Sequence, residues 1–109
     1  MNYRVIVTQR AERDMQEMAA WWANAHSPEQ ADHWLSNFAT RLESLSQFPS
    51  RCPLAAESDE FPFELRELHY GVGRRSTHRA LFNIADDVVL VFAVRHIAQD
   101  RLQVDDLSG

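Results

Sequence analysis

Apolar residues in the first half of the chain recur at the spacing of two amphipathic helices. The first stripe runs through Ala11, Met15, Met18, Trp22 and Ala25 at intervals of three and four residues. A second helix follows a short link at residues 25–26, with its apolar positions at Ala31, Trp34, Leu35, Phe38, Leu42, Leu45 and Phe48. The short link predicts that the two helices form an antiparallel hairpin.

Local signals mark where these helices begin and end. Thr8 is placed to cap the first helix, and Ser27 precedes Pro28 as a cap followed by a proline at the first helical position. Pro49 is expected to end the second helix, since its ring cannot continue the hydrogen-bond ladder. The proline-rich segment 49–62 that follows is predicted to be a surface loop.

Strand patterns occupy both ends of the chain. Residues 3–8 are rich in β-branched side chains, and residues 61–70 and 78–84 alternate between apolar and polar positions. Asp86 and Asp87 mark a tight reversal before the apolar run 88–94, which is typical of a central strand. The resulting order, β-α-α-β-β-β, predicts a two-layer α+β fold in which the helix hairpin packs on a small, mostly antiparallel sheet with the first strand at an edge.

Length and composition place this fold in a small globular protein. The 109 residues suit one domain, with residues from about 101 onward as a short tail. Apolar runs are too short to span a membrane, and no secretory leader is evident. Cys52 is the single cysteine, which suits a reducing cytoplasm, and its thiol is expected to have no special role.

Charge is unevenly distributed along the chain. The formal net charge is −5, and all eleven cations are arginines. Residues 1–60 hold five arginines against nine acids, whereas residues 65–85 hold four arginines against Glu67 alone. An acidic protein of this kind is not expected to coat nucleic acid non-specifically, so the local basic region needs a more specific explanation.

Several motifs, in this order, resemble the RelE/ParE toxin superfamily, most closely its ParE-like plasmid-stabilisation branch. The resemblance covers roughly residues 3–101. It rests on the segments Ala11-Glu12-Arg13-Asp14, Ser27-Pro28-Glu29-Gln30-Ala31, Leu45-Ser46-Gln47-Phe48-Pro49, Glu64-Leu65-Arg66-Glu67-Leu68, His78-Arg79-Ala80-Leu81-Phe82 and Val94-Arg95-His96.

The resemblance implies a cytoplasmic toxin that is neutralised by a cognate antitoxin protein. Toxins of the ParE type poison DNA gyrase, whereas toxins of the RelE type cleave mRNA on the ribosome. We expect the ParE-like activity, with no cofactor, no membrane association and no sequence-specific DNA binding by the toxin alone. The alternatives are a ribosome-dependent mRNA interferase and an inactive homologue that only binds antitoxin.

Two sets of candidate residues follow from these readings. For binding the antitoxin or the target, we expect an apolar groove between the second helix and the sheet, with an arginine face beside it. This set comprises Trp34, Phe38, Arg66, Arg74, Arg75 and Arg79.

For RNA cleavage, the candidates are Arg79, Arg95 and His96, since this chemistry needs a proton donor or acceptor and cations near the developing charge. His69 and His78 are further proton-transfer candidates. Three observations weigh against a nuclease. The resemblance implies that a nuclease member would carry several lysines and a C-terminal tyrosine, whereas this chain has no lysine and no tyrosine after Tyr70. Strand alternation also places Arg79 and His78 on opposite faces. No metal site is expected, because the histidines lack paired ligand spacing.

Overall fold

The computed structural model describes residues 2–71 and 75–98. Its elements follow the predicted order: β1 (Arg4–Val7), α1 (Gln9–Ala25), α2 (Pro28–Glu43), β2 (Arg66–Tyr70), β3 (His78–Ala85) and β4 (Val88–His96). Three short 3₁₀ turns lie between α2 and β2, at Ser44–Ser46, Pro49–Arg51 and Ser58–Glu60. No helix in the described parts of the chain is long and apolar enough to cross a membrane.

Both predicted helix caps are confirmed. The Thr8 hydroxyl accepts a hydrogen bond from the Ala11 amide at 3.2 Å, and the Ser27 hydroxyl accepts one from the Gln30 amide at 3.1 Å. Each bond satisfies one of the amides that the first turn of a helix leaves without a partner.

The predicted end of the second helix was wrong. α2 ends at Glu43, before Pro49, and the chain continues in the Ser44–Ser46 turn. At this point the Ser44 hydroxyl donates to the carbonyl of Arg41 at 2.5 Å, a local bond of the kind that competes with continuation of a helix. Phe48 then adopts a left-handed conformation with φ of 48°, and its side chain is 76% exposed.

The four strands form one mixed sheet in the order β1-β4-β3-β2. β1 pairs in parallel with β4 at one edge, as predicted, and the remaining pairs are antiparallel. Asp86 and Asp87 form the predicted reversal between β3 and β4. A register shift next to Leu81 and Phe82 allows both Val91 and Val94 to face the helices, although they are three residues apart.

Residues 49–65 depart most from the prediction. β2 begins at Arg66, not Phe61, because Phe61 and Leu65 pack against the second face of the sheet. The segment is held there by backbone bonds between the Ala55 amide and the Leu65 carbonyl, and between the Glu67 amide and the Pro53 carbonyl. It is therefore a packed covering with several buried side chains, and the prediction of a surface loop was wrong for these positions.

Two apolar clusters result from this arrangement. The larger one lies between the helices and the sheet and includes Trp34, Phe38, Leu42 and Phe82. The smaller one lies on the opposite face and joins Ala55, Phe61 and Leu65 to Leu81 and Ala93. Both faces of the central strands are thus covered, which explains the continuous apolar run in β4.

Candidate functional site

Two side chains near the start of α1 anchor this helix to the backbone of β4. They contact the part of β4 that continues past its pairing with β1. The Thr8 hydroxyl donates to the Phe92 carbonyl at 3.1 Å, and the Asp14 carboxylate accepts from the Val94 amide at 3.0 Å. The other carboxylate oxygen of Asp14 bonds Arg10 at 3.2 Å. Sequence analysis had assigned Asp14 no such role, because β4 lies 80 residues further along the chain.

A groove of about 540 Å³ opens beside this anchor, between α1 and the ends of β3 and β4. Arg10 and Asp14 border it, and its lining is rich in large apolar and aromatic side chains. These include Met18, Trp21, Trp22, His26, His78 and His96. Glu17 and Arg95 also line the groove. A concave site that combines apolar and aromatic groups with a small number of charged ones is a usual form of a binding pocket.

The aromatic groups meet near the C-terminal end of α1. The rings of Trp21 and Trp22 lie at 89° to one another with centroids 5.8 Å apart, and the His26 ring lies over Trp22 at 4.5 Å. Trp21 is 61% exposed, an unusual exposure for so large an apolar side chain. We call Trp21, Trp22 and His26 the aromatic corner of the groove.

Two histidines meet on the strand side of the groove. His78 and His96 are directly paired across β3 and β4, and their ring centroids are 5.1 Å apart. Burial, with a contribution from nearby His96, lowers the pKa of His78 to about 4, so its imidazole is neutral at pH 7. Nδ1 of His96 accepts a hydrogen bond from the Ala98 amide at 3.0 Å, which fixes how that ring is oriented.

Arg79 lies on the opposite face of the sheet, within a buried ion-pair network. Its guanidinium forms two bonds to Glu57, at 2.8 and 2.5 Å, and a third to Glu67 at 2.9 Å. Glu57 is fully buried, and its hydrogen bonds are the main reason that the pKa of Arg79 is raised. The second oxygen of Glu67 bonds His69 at 2.8 Å.

The three nuclease candidates are therefore not brought together. Arg79 and Arg95 are directly paired in the register, so strand alternation places their side chains on the same face. His96 follows Arg95 and packs against His78, and both Arg95 and His96 line the groove. In this geometry Arg79 and His96 do not reach a common reacting group.

The remaining arginine candidates have separate environments. Arg66 donates to the Cys52 carbonyl at 2.7 Å and lies 3.5 Å from a carboxylate oxygen of Glu64, so it ties β2 to the covering segment. Arg75 is exposed ahead of β3, and Arg74 lies outside the described residues. Burial raises the pKa of the Cys52 thiol, which disfavours the reactive thiolate.

Trp34 and Phe38 belong to the core, with exposures of 2% and 0%. Trp34 packs edge-on against Phe38, and its backbone carbonyl accepts a hydrogen bond from the Tyr70 hydroxyl at 3.1 Å. The interval between α2 and the sheet is filled by these side chains, so the groove that was expected there is found beside α1 instead.

The arrangement offers a recognition surface more readily than a reaction centre. Its polar groups are partly committed to structure, as Asp14 is to Val94, and the described residues contain no cluster of three or more side chains suited to a metal. The sequence reading missed the aromatic corner because it assigned Trp22 to the apolar stripe of the first helix and gave Trp21 no role. The spacing of Glu17 and Trp21, one helical turn apart beside Trp22, is a signal that was available.

Comparison with known proteins decides the family. A family model described as the ParE toxin of the type II toxin–antitoxin system parDE matches residues 5–101. The chain belongs to the ParE toxin family. This confirms the resemblance drawn from the sequence motifs, and it covers every described helix and strand apart from Arg4 at the start of β1.

A solved structure shares the fold of this ParE-family chain. It is the chromosomal ParDE toxin–antitoxin system from P. aeruginosa, with a TM-score of 0.69 over 87% of this chain and 96% of that one. The sequences are 17% identical, so the match supports the architecture and not particular site residues. No curated protein matches the chain significantly.

Proposed function

We propose that this ParE-family toxin is neutralised by a cognate antitoxin and acts in the cytoplasm by binding DNA gyrase, without cutting RNA. The observation that carries the proposal is the state of Arg79. Its guanidinium is bonded to two carboxylates, one of them fully buried, and it lies across the sheet from His96. A cation held in this way has little capacity left to stabilise charge on a reacting phosphate.

The antitoxin is proposed to bind in the groove beside α1. Exposed aromatic side chains such as Trp21 are typical anchors of protein interfaces, and neighbouring Met18 and Trp22 extend the apolar surface. The groove is bordered by α1 and two strand ends, so a helical or extended segment of a partner has a rigid surface on which to pack.

The mRNA interferase alternative gains no comparable support. It requires Arg79, Arg95 and His96 to act on one phosphate, whereas Arg79 is bonded to Glu57 and Glu67 on the face of the sheet opposite His96. His78, His96 and Arg95 do line the groove together, but Arg10 at its border is paired with Asp14, and Arg79 is held by Glu57 on the opposite face of the sheet.

Induction of the isolated gene in a bacterium separates these activities. Growth, the DNA-damage response and message integrity are followed together after induction. Growth arrest with a DNA-damage response and intact message is expected for a gyrase poison. Message cut within reading frames at the onset of arrest supports the interferase, and normal growth at high expression supports an inactive antitoxin-binding homologue.

A further inference from the structure

The aromatic corner offers one exposed tryptophan ring to a cation. Trp21 and Trp22 contact each other edge to face at 89°, and His26 packs against Trp22 with its centroid 4.5 Å away. Tryptophan is the best of the aromatic side chains at attracting a cation to its ring face. Trp21 offers most of its surface to the solvent, so one face of the corner is open to a ligand.

A carboxylate lies on the same side of α1 as this corner. Glu17 is one helical turn before Trp21, and both side chains line the groove. Glu17 is exposed and forms no ion pair with any residue that the structure describes, whereas neighbouring Asp14 is already bonded to Arg10 and to the Val94 amide. Glu17 is therefore the negative charge at this end of the groove that remains available to a partner.

The groove also contains two arginines, Arg10 and Arg95. Arg10 is paired with Asp14, Arg95 lies on the strand side of the groove, on β4, and His78 is neutral at pH 7 because its pKa is lowered to about 4. The chain as a whole favours a cationic partner as well, since its formal net charge is −5. A purely apolar ligand is a poorer fit, because it would withdraw water from Glu17 without replacing the lost hydrogen bonds.

We propose that the aromatic corner and Glu17 together bind an arginine or lysine side chain of the antitoxin. The cationic group lies against the Trp21 ring and pairs with the Glu17 carboxylate, while the apolar part of the partner segment packs on Met18 and Trp22. The identity of the partner rests on the proposed function, but the chemistry of the site does not. The isolated toxin can therefore be tested with small cations.

The first test titrates the toxin with argininamide and follows the tryptophan indole N–H resonances by NMR. Citrullinamide, which has nearly the same shape but no charge on its side chain, is the matched ligand, and potassium chloride corrects for ionic strength. Argininamide is expected to shift the Trp21 resonance, with citrullinamide binding about two- to fivefold more weakly, as expected for losing a cation–π contact at an exposed site. Equal shifts with both ligands, or none with either, overturn the proposal.

The second test measures antitoxin affinity for Glu17→Gln, Glu17→Lys and Trp21→Ala, with Glu29→Gln on α2 as the matched control. Affinity is expected to fall for the first three, most strongly for Glu17→Lys, and to stay unchanged for Glu29→Gln. Because Trp21 and Glu17 are exposed, thermal unfolding should show that these variants remain folded. Unchanged affinity in all four overturns the assignment.

The outcomes separate this inference from the proposed function. If the wild-type toxin fails to bind its antitoxin at all, the proposed function fails, and the argininamide titration still decides the chemistry of the corner. If sedimentation instead shows the toxin self-associating in a manner abolished by Trp21→Ala, a second copy occupies the corner and the antitoxin assignment is overturned.

Discussion

Arg79 and Glu57 face each other with two parallel bonds, at 2.8 and 2.5 Å, across the second face of the sheet. Glu57 belongs to the segment that covers this face, so the pair connects that segment to β3. A carboxylate that is fully buried would be strongly unfavourable without such a partner. The pair thereby accounts for the position of the segment that covers this face. It also explains why the charge of Arg79, a candidate for RNA cleavage, is balanced within the fold.

Removal of this arginine should destabilise the fold. Arg79→Met leaves the buried Glu57 carboxylate without its cation, and the free energy of unfolding is expected to fall by about 3–5 kcal/mol in urea denaturation. Arg13→Met, an exposed change on α1, is the control and should lie within about 0.5 kcal/mol of wild type. A loss below about 1 kcal/mol in Arg79→Met would contradict this account of the pair.

His78 should make stability depend on pH. Its pKa is about 4 in the folded chain and about 6.5 when unfolded, so between these values the unfolded chain binds more protons. The free energy of unfolding therefore falls as pH is lowered from about 6.5 towards 4, by at most about 3 kcal/mol from this residue. The contribution is fully present above pH 6.5.

Denaturation at several pH values checks this expectation. His78→Gln should remove the part of the pH dependence between about pH 6.5 and 4, whereas His33→Gln, at an exposed helical position, should retain it. Identical pH profiles for wild type and His78→Gln would show that burial of this imidazole has no such consequence.

Thr8 should be more important than an ordinary helix cap. Its hydroxyl accepts from the Ala11 amide and donates to the Phe92 carbonyl, so Thr8→Val removes two bonds at once. A loss of about 1–2 kcal/mol in unfolding free energy is expected, with Thr8→Ser close to wild type. Thr40→Val, on the exposed side of α2, serves as the control, and an equal effect in both valine variants would be inconsistent with the double role.

Phe38 and Phe48 should respond very differently to the same change. Phe38→Ala removes a fully buried ring and is expected to cost about 3–5 kcal/mol of unfolding free energy. Phe48→Ala removes a ring that is 76% exposed and should change stability by less than about 0.5 kcal/mol. Similar losses in the two variants would contradict the burial described for these two side chains.

Local signals predicted much of the fold. The Thr8 and Ser27 caps, the helix stripes and the turn at Asp86 depend on residues within a few positions of one another, which makes them readable from sequence. The start of β2 was not readable in this way. Phe61 alternates with its neighbours as a strand residue would, yet it packs against a distant part of the sheet.

The environments of the candidate site residues were harder to predict, because they depend on contacts between residues far apart in the chain. The arginine-rich pattern drew attention to Arg79, but its partner Glu57 lies 22 residues earlier, in a segment without regular periodicity. The separation of Arg79 from His78 was predictable from alternation within one strand. The separation of Arg79 from His96 depended on the register between β3 and β4, which sequence patterns alone do not specify.

Inhibition of purified DNA gyrase by the purified toxin is the most direct test of the central claim, that the toxin acts by binding. Supercoiling and cleavage-complex assays should show dose-dependent inhibition by wild type, and His96→Gln should inhibit equally well because no proton transfer is involved. Unimpaired supercoiling, together with message cleavage on ribosomes that is lost in His96→Gln, would contradict the account and make His96 a catalytic residue.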